Sequence, residues 1–267
     1  MTVRAWIGLG LVLLLIAAAL LGPLLVRADP EQLELGQRLS APSRTHLLGQ
    51  DKLGRDVLAR VLIGARVSLA VGLIVVLVSA LVGSLLGGLA GFLGGVFDGA
   101  LMRLVDVLMA FPGILLAIAI AGILGPSVTN VIIALSALGW VGYARLVRGQ
   151  VMAVRERDFV IAARATGVPE SRVLWRHVAP VVLAPVIVQA SFGIAGAVLA
   201  ESSLSFLGLG PQDMPSWGAM ISEGAEQLRK APHLATFPGL AIALTVLAFN
   251  FLGDGLRDRL DPQGAAQ

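Results

Sequence analysis

The sequence has no cysteine and few charged or aromatic residues. Because none of its 267 residues is cysteine, disulfides and thiolate metal sites are excluded. Only 14% of the residues are charged, whereas about 25% are charged in a typical soluble domain. Hydrophobic residues make up 57% of the chain. These proportions indicate a membrane protein with several spans.

Motifs for catalysis are also missing. No G-x-x-x-x-G-K-[ST] segment occurs, so we do not expect the chain to bind ATP phosphates through a P-loop. The three histidines lie far apart in sequence, and none falls within a predicted span where it could activate a serine. The net charge of +3 is too small to indicate a nucleic-acid surface. We predict a non-enzymatic chain that holds no metal or cofactor of its own.

Long apolar runs predict six transmembrane helices, with both termini on the same side. The first run follows Arg4 and is about 20 residues long, which suits a complete span. A signal peptide is the competing interpretation, but its apolar region would be only about 7–15 residues long. The predicted spans are approximately residues 5–26, 67–93, 104–124, 128–146, 181–199 and 234–252.

The spans divide the chain into an N-terminal helix (1–26), a polar loop (27–66), a membrane core (67–254) and a polar tail (255–267). Within the core, a kink is expected at residues 111–113, which read Phe-Pro-Gly. Small residues recur every fourth position in the second span and predict close packing against another helix. This stripe consists of Ser79, Gly83, Gly87, Gly91 and Gly95.

A charged segment, residues 158–180, lies between the fourth and fifth spans. It begins with one predicted helix face of small or apolar character, formed by Phe159, Ala162, Ala163 and Thr166. Gly167 is suited to the left-handed position that ends a helix, and Pro169 can open a second one. Such a helix could fit a groove of another protein or lie on the lipid surface, and its pattern alone leaves both open.

This segment resembles the EAA loop of binding-protein-dependent ABC importer permeases. The matching residues are Ala162-Ala163, Gly167 four residues later and Pro180 thirteen residues after that. The sequence departs from the family at Ile161, where the consensus has glutamate.

Two further segments resemble the dipeptide/oligopeptide/nickel permeases, specifically the second of their two permease subunits. The first is His46–Leu69, which precedes the second span. The other is Glu201–Gly210, which reads ESSLSFLGLG and is followed by Pro215-Ser216-Trp217-Gly218.

The resemblance implies an all-α type I ABC importer fold in a bacterial inner membrane, with cytoplasmic termini and an extracytoplasmic 27–66 loop. It also implies four partner chains: a second homologous permease, two ATP-binding subunits that hold ATP and magnesium, and an extracytoplasmic substrate-binding protein. A cytoplasmic coupling loop, about residues 147–178 with the adjoining Pro180, would dock on the ATPase. The residues expected to form this site are Asp158, Phe159, Ala162, Ala163, Arg164, Gly167 and Pro180.

Polarity alone selects three candidates for the translocation path: Asp106, Glu201 and Asn250. Glu201 lies at a span end, where an acid either lines a path or pairs structurally. For the charges of the 46–56 segment, we expect paired surface ions and a structural cap on the second span. The resemblance favours peptides as substrate. Nickel or glutathione import, and ATP-independent secondary transport, are the alternatives.

Overall fold

The computed structural model describes residues 3–25 and 32–260, and regular structure in these ranges is helical. The helices are α1 (Val3–Leu25), α2 (Val57–Leu93), α3 (Gly95–Met109), α4 (Gly113–Leu124), α5 (Val128–Arg155), α6 (Asp158–Ala165), α7 (Glu170–Arg172), α8 (Ala179–Phe206), α9 (Trp217–Ala225) and α10 (His233–Leu260). A π-helical turn, Val173–Val178, joins α7 to α8.

The predicted all-helical fold with six spans is confirmed. In the described ranges, α1, α2, α5, α8 and α10 are long and apolar enough to cross a membrane, and the bent pair α3–α4, counted as one span, makes six. Several helix ends differ from the prediction, and two of them cross a predicted domain boundary. Helix α2 begins ten residues early, within the predicted 27–66 loop, and α10 continues to Leu260, within the predicted tail. The predicted boundary between the N-terminal helix and the 27–66 loop lies outside the described residues, as do residues 261–267 of the predicted tail.

The third predicted span is two helices at 87° to each other instead of one kinked helix. The break lies at residues 110–112, where Pro112 adopts an extended conformation and precedes the first turn of α4. Because proline lacks an N–H and disfavours helical geometry in the residue before it, the α3 hydrogen-bond ladder cannot continue through this position. The predicted kink site was therefore correct, and the change of direction is larger than a kink.

The glycine stripe of α2 packs directly on the backbone of α5. A Cβ atom at Gly87 would overlap the backbone of Ala144, and one at Gly91 would overlap the backbone of Arg148. The predicted role in helix packing is confirmed for this part of the stripe. Gly95 does not belong to it, since it starts α3 with a φ of +65° and its Cβ position is open.

We expect Gly87→Ala to destabilise the protein by about 1–3 kcal/mol, because the added methyl group forces two close-packed backbones apart. Gly88→Ala is the matched control. Its Cβ would lie 3.7 Å from Val147, an ordinary contact, and alanine is the better helix former by roughly 0.5–1 kcal/mol. Thermal unfolding in detergent should therefore give a lower Tm for Gly87→Ala and an unchanged or higher Tm for Gly88→Ala. Equal effects would contradict the packing argument.

Asp56 begins α2 as its N-cap. Its Oδ1 accepts a hydrogen bond from the backbone N–H of Ala59 at 2.8 Å, and its Oδ2 lies 2.8 Å from Nδ1 of His46. An N-cap carboxylate accepts a hydrogen bond from a free N–H of the first turn, and its negative charge interacts favourably with the positive end of the helix dipole. The predicted capping role of the 46–56 segment is confirmed.

A buried ion network joins this segment to α9. Arg60 donates hydrogen bonds to Asp51 at 2.6 Å and to Glu223 of α9 at 2.8 Å. Asp51 is 3% exposed and Arg60 is 5% exposed, so the prediction of surface ion pairs was wrong for Asp51. It was correct for Lys52, which pairs with Glu226 at the surface. The alternation of positive and negative charges along this segment predicted ion pairs. It could not show that α9 covers the cluster, because α9 lies far away in the sequence.

The surroundings of both acids stabilise their charged forms. Burial alone would raise the pKa of Asp51, but the backbone N–H of Arg55 and the Arg60 guanidinium outweigh it, and the pKa lies below its ordinary value. Burial also acts to raise the pKa of Glu223, and the hydrogen bond and charge of Arg60 lower it overall. The network is therefore ionised at neutral pH.

Trp217 connects the two subfamily-like segments. Its indole N–H donates to the carbonyl of Val61 at 3.0 Å, and the side chain is 1% exposed. A Cβ atom at Gly64 would lie 3.1 Å from the indole ring, and Gly218 packs on the backbone of Ser202. The segment around α9 thus fastens the start of α2 to the end of α8.

Candidate coupling site

Helix α6 lies outside the spanning bundle, between the end of α5 and the start of α7. The α5 helix ends at Arg155, and Glu156 and Arg157 form the turn that leads into α6. Asp158 lies in the first turn of α6 and Arg164 in its last turn. Each charge is favourable at its end of the helix dipole. The predicted short helix is confirmed as a local structure.

One face of α6 packs on the bundle through Val160, which is fully buried, and Ala163, which is 9% exposed. Val160 joins an apolar cluster with residues of α5, the π-helical turn and α8. The other buried members of this cluster are Val147, Val151, Val154, Val173, Val178 and Val182. Ala163 was expected on the docking face. It packs inward because the helix seats on Val160, three residues earlier on the same face.

The opposite face of α6 is open. Phe159 is 42% exposed and Ile161 is 51% exposed, and Asp158, Ala162 and Thr166 are also exposed. Two large apolar side chains on a short exposed helix cost free energy in water, so this surface has the character of an interface. We refer to Asp158, Phe159, Ile161, Ala162 and Thr166 as the α6 outer face.

Gly167 ends α6 with a φ of +81°, as the sequence predicted. Its N–H donates to the carbonyl of Arg164 at 2.9 Å, and the N–H of Val168 donates to the carbonyl of Ala163 at 3.1 Å. These bonds satisfy carbonyls that the helix end would otherwise leave free. Pro169 then precedes α7, as predicted.

Two arginines fasten the coupling segment. Arg164 donates to both carboxylate oxygens of Glu170, at 3.0 and 3.1 Å, and lies over the ring of Phe92 in α2, 5.6 Å from its centroid. Arg155 donates to the carbonyl of Gly91 at 2.9 Å. The segment is therefore attached to the α2 end as well as to α5.

Pro180 lies at the start of α8, after the π-helical turn. Because proline has no N–H, the carbonyl four residues earlier loses its usual donor, and a wider turn is a common accommodation. Pro180 is exposed but belongs to the spanning helix and not to the α6 outer face. Its predicted contact with a partner stays a prediction.

Comparison with known proteins decides the family. The protein-family model described as "Binding-protein-dependent transport system inner membrane component" matches residues 83–263 of this sequence. The chain belongs to this family. It is a multi-pass transport permease of an inner-membrane system, with the type I permease fold.

Named relatives of the permease include two kinds of transport protein. The dipeptide transport system permease protein DppC of Alkalihalophilus pseudofirmus is 43% identical over 260 residues, which cover 97% of this chain and 86% of that protein. The glutathione transport system permease protein GsiD of Pectobacterium atrosepticum is 47% identical over 254 residues, covering 94% and 84% respectively. These matches span nearly the whole permease, including both subfamily-like segments.

The three path candidates lie apart in the permease. Asp106 is on an exposed part of α3, paired with Arg145 of α5. Glu201 is fully buried in α8 and accepts hydrogen bonds from Ser205 at 2.7 Å and Ser202 at 3.4 Å. This environment fits structural pairing, the second of the two roles considered for Glu201. Asn250 is half-buried in α10. The structure does not bring these residues into one site.

Proposed function

We propose that this permease is the membrane subunit of an ATP-driven importer of dipeptides and other short peptides. It forms half of the translocation pathway and converts ATPase closure into alternating access. The observation that carries this proposal is the α6 outer face, an exposed apolar surface on a helix that the bundle holds firmly. A partner ATPase docks on this surface, buries its apolar side chains and pushes on it when the ATPase closes.

The packing of α6 supports transmission of that force. A push on the α6 outer face bears on Val160 and its apolar cluster, which includes side chains of α5 and α8. The contacts of Arg155 and Arg164 with Gly91 and Phe92 carry the same displacement to α2. Close-packed interiors transmit such displacement because they have little free volume.

The proposed assembly has a second homologous permease, two ATP-binding subunits and an extracytoplasmic substrate-binding protein. ATP and magnesium are bound by the ATPase chains. Docking at α6 places the coupling segment in the cytoplasm, and six spans then place both termini there as well. The 27–66 region and α9 face the extracytoplasmic side, where the binding protein delivers substrate.

The named relatives favour a peptide-like substrate. DppC is named for dipeptides and GsiD for glutathione, and both kinds of molecule carry amide and carboxylate groups. Dipeptides are the first choice, and glutathione is the second candidate. Nickel is a weaker alternative, since neither of the relatives named above transports it by name.

Mild extraction of the tagged permease from its native membrane tests the assembly. We expect mass spectrometry to identify a second permease and one or two P-loop ATPases. The recovered complex, reconstituted in liposomes with its binding protein, should take up labelled dipeptide only when ATP is supplied. Recovery of the permease alone, with uptake driven by an ion gradient, would replace this proposal by secondary transport.

A further inference from the structure

Gln189 is a polar residue exposed in the middle of an apolar spanning helix. It lies ten residues after the start of α8 and seventeen before its end, about 15 and 26 Å along the helix axis. Its side chain is exposed and has no hydrogen-bond partner in the part of the chain that the structure describes. An amide facing hydrocarbon costs free energy. Gln189 must therefore meet water, a partner or a ligand in the assembled transporter.

Gln189 lies in the wall of two cavities. One, of approximately 340 Å³, lies toward the middle of the span and is bordered by Gly139, Tyr143 and Gly196. The other, of approximately 860 Å³, opens toward the coupling segment and is bordered by Arg157 and Arg257. Because they share one side chain, the two cavities adjoin along α8.

The shared wall follows one face of α8, where residues recur at approximately helical spacing. This stripe consists of Val181, Pro185, Gln189, Gly196 and Ala200. The C-terminal part of this stripe is built from small residues, and a Cβ atom at Gly196 would meet nothing within 4 Å. The opposite face of α8 instead exposes Leu183 and Ile187, as a lipid-facing surface does.

The larger cavity has a basic mouth. Arg157 and Arg257 are exposed, and no acidic side chain is among the described residues that line this cavity. Gln150 of α5 adds a second amide to the wall. Such a lining attracts carboxylates and hydrogen-bonds amide groups, whereas it repels a divalent cation.

We propose that the Gln189 face of α8 is this chain's half of the translocation path, and that Gln189, Arg157 and Arg257 select small molecules bearing carboxylate and amide groups. The inference rests on the proposed importer function. It assigns the path to residues other than Asp106, Glu201 and Asn250, and it argues against nickel as the substrate.

Substituted-cysteine labelling tests the path, and the natural chain suits it because it contains no cysteine. Gln189→Cys and Gly196→Cys are compared with Leu183→Cys and Ile187→Cys on the opposite face. The variants are assembled with cysteine-free partner chains, and a membrane-impermeant charged methanethiosulfonate is added from the coupling-segment side. We expect the two path variants to react several-fold faster than the controls, and an unlabelled competitor that has no thiol, such as dialanine, to slow the reaction.

Uptake measurements separate failure of this inference from failure of the importer proposal. If ATP-driven uptake is intact but all four variants react equally, the path assignment is wrong and the importer stands. If Gln189→Cys is unreactive and forms a disulfide with the second permease, the face is a packed subunit contact and the assignment is also wrong. Absence of ATP-driven uptake by the unsubstituted complex would contradict the importer proposal itself.

A charge reversal tests the substrate class. Arg257→Glu is expected to lower the rate of dipeptide or glutathione uptake several-fold, because the substrate leaves the path through this mouth, which loses its attraction for carboxylates. Arg259→Glu, on the same helix but outside the cavity lining, serves as the control and should leave the uptake rate unchanged. Equal uptake rates for the two variants, or faster uptake of nickel than of peptide by the native complex, would overturn the proposed selectivity.

Discussion

Replacing Gly167 by aspartate is expected to abolish ATP-driven uptake while leaving the permease folded and inserted. Gly167 has a φ of +81°, and its Cβ position is open. Aspartate tolerates this conformation better than most residues, at a cost of roughly 1 kcal/mol, too little to unfold the bundle. The new carboxylate, however, projects at the turn beside the α6 outer face and blocks the close approach of a partner. Uptake in liposomes and Tm in detergent measure the two effects separately.

Gly125→Asp is the matched control for this substitution. Gly125 has a φ of +86° and an equally open Cβ position, but it lies near the start of α5, at the end remote from α6. The two variants therefore share the backbone cost and the added charge, and we expect only Gly167→Asp to lose uptake. Normal uptake by Gly167→Asp, or equal loss in both variants, would remove the support for docking at this turn.

Replacing Arg60 by methionine is expected to lower the free energy of unfolding by about 3 kcal/mol, the lower end of the cost of breaking a buried ion pair, because the buried Asp51 carboxylate loses one of its two arginines and keeps only Arg55. Glu223 also loses its hydrogen bonds from α2, and the contact of Glu223 with Arg55 and the bond from Trp217 to Val61 then hold α9 to this region. Thermal unfolding in detergent should show a large decrease in Tm, accompanied by aggregation on size-exclusion chromatography.

Lys52→Met provides the comparison for this ion network. Lys52 and Glu226 form an exposed pair at 3.7 Å, and exposed pairs typically contribute only about 0–1 kcal/mol. A small decrease in Tm for Lys52→Met and a large decrease for Arg60→Met would show that the loss of stability comes from the burial of the ion pair and not from the loss of one positive charge. Adding Asp51→Asn to Arg60→Met should recover part of the stability, since it removes a buried charge that has lost one of its two arginine partners. A small effect of Arg60→Met would show that Arg55 and the backbone N–H groups are enough to hold the Asp51 carboxylate.

Features set by neighbouring residues could be predicted from the sequence. The break beside Pro112 and the left-handed turn at Gly167 each depend on the chemistry of a few consecutive residues. The apolar runs likewise predict the spans, since hydrocarbon thickness fixes their minimum length. Span ends were less accurate, because helices such as α2 and α5 continue beyond the membrane into packed polar surroundings.

Features that depend on distant elements could not be predicted. The predicted small-residue face of α6 included Ala163, yet Val160 packs against α5 and α8, and the buried side of the helix holds both residues. Glu201 and Asp51 are polar residues whose burial depends on segments far along the chain. Gln189 is different, because an isolated amide within an apolar run is visible in the sequence. Only the structure shows that it faces a cavity.

The length of α2 has a mechanical consequence. Its 37 residues form a continuous rod of about 55 Å. The Arg60 network holds the N-terminal end of α2, and a hydrogen bond from Arg155 to the Gly91 carbonyl holds the helix near its C-terminal end. A protein seated near α9 and a protein seated on α6 would thus hold opposite ends of the same lever. Their binding free energies would then be coupled, and each partner would change the affinity for the other by the same factor.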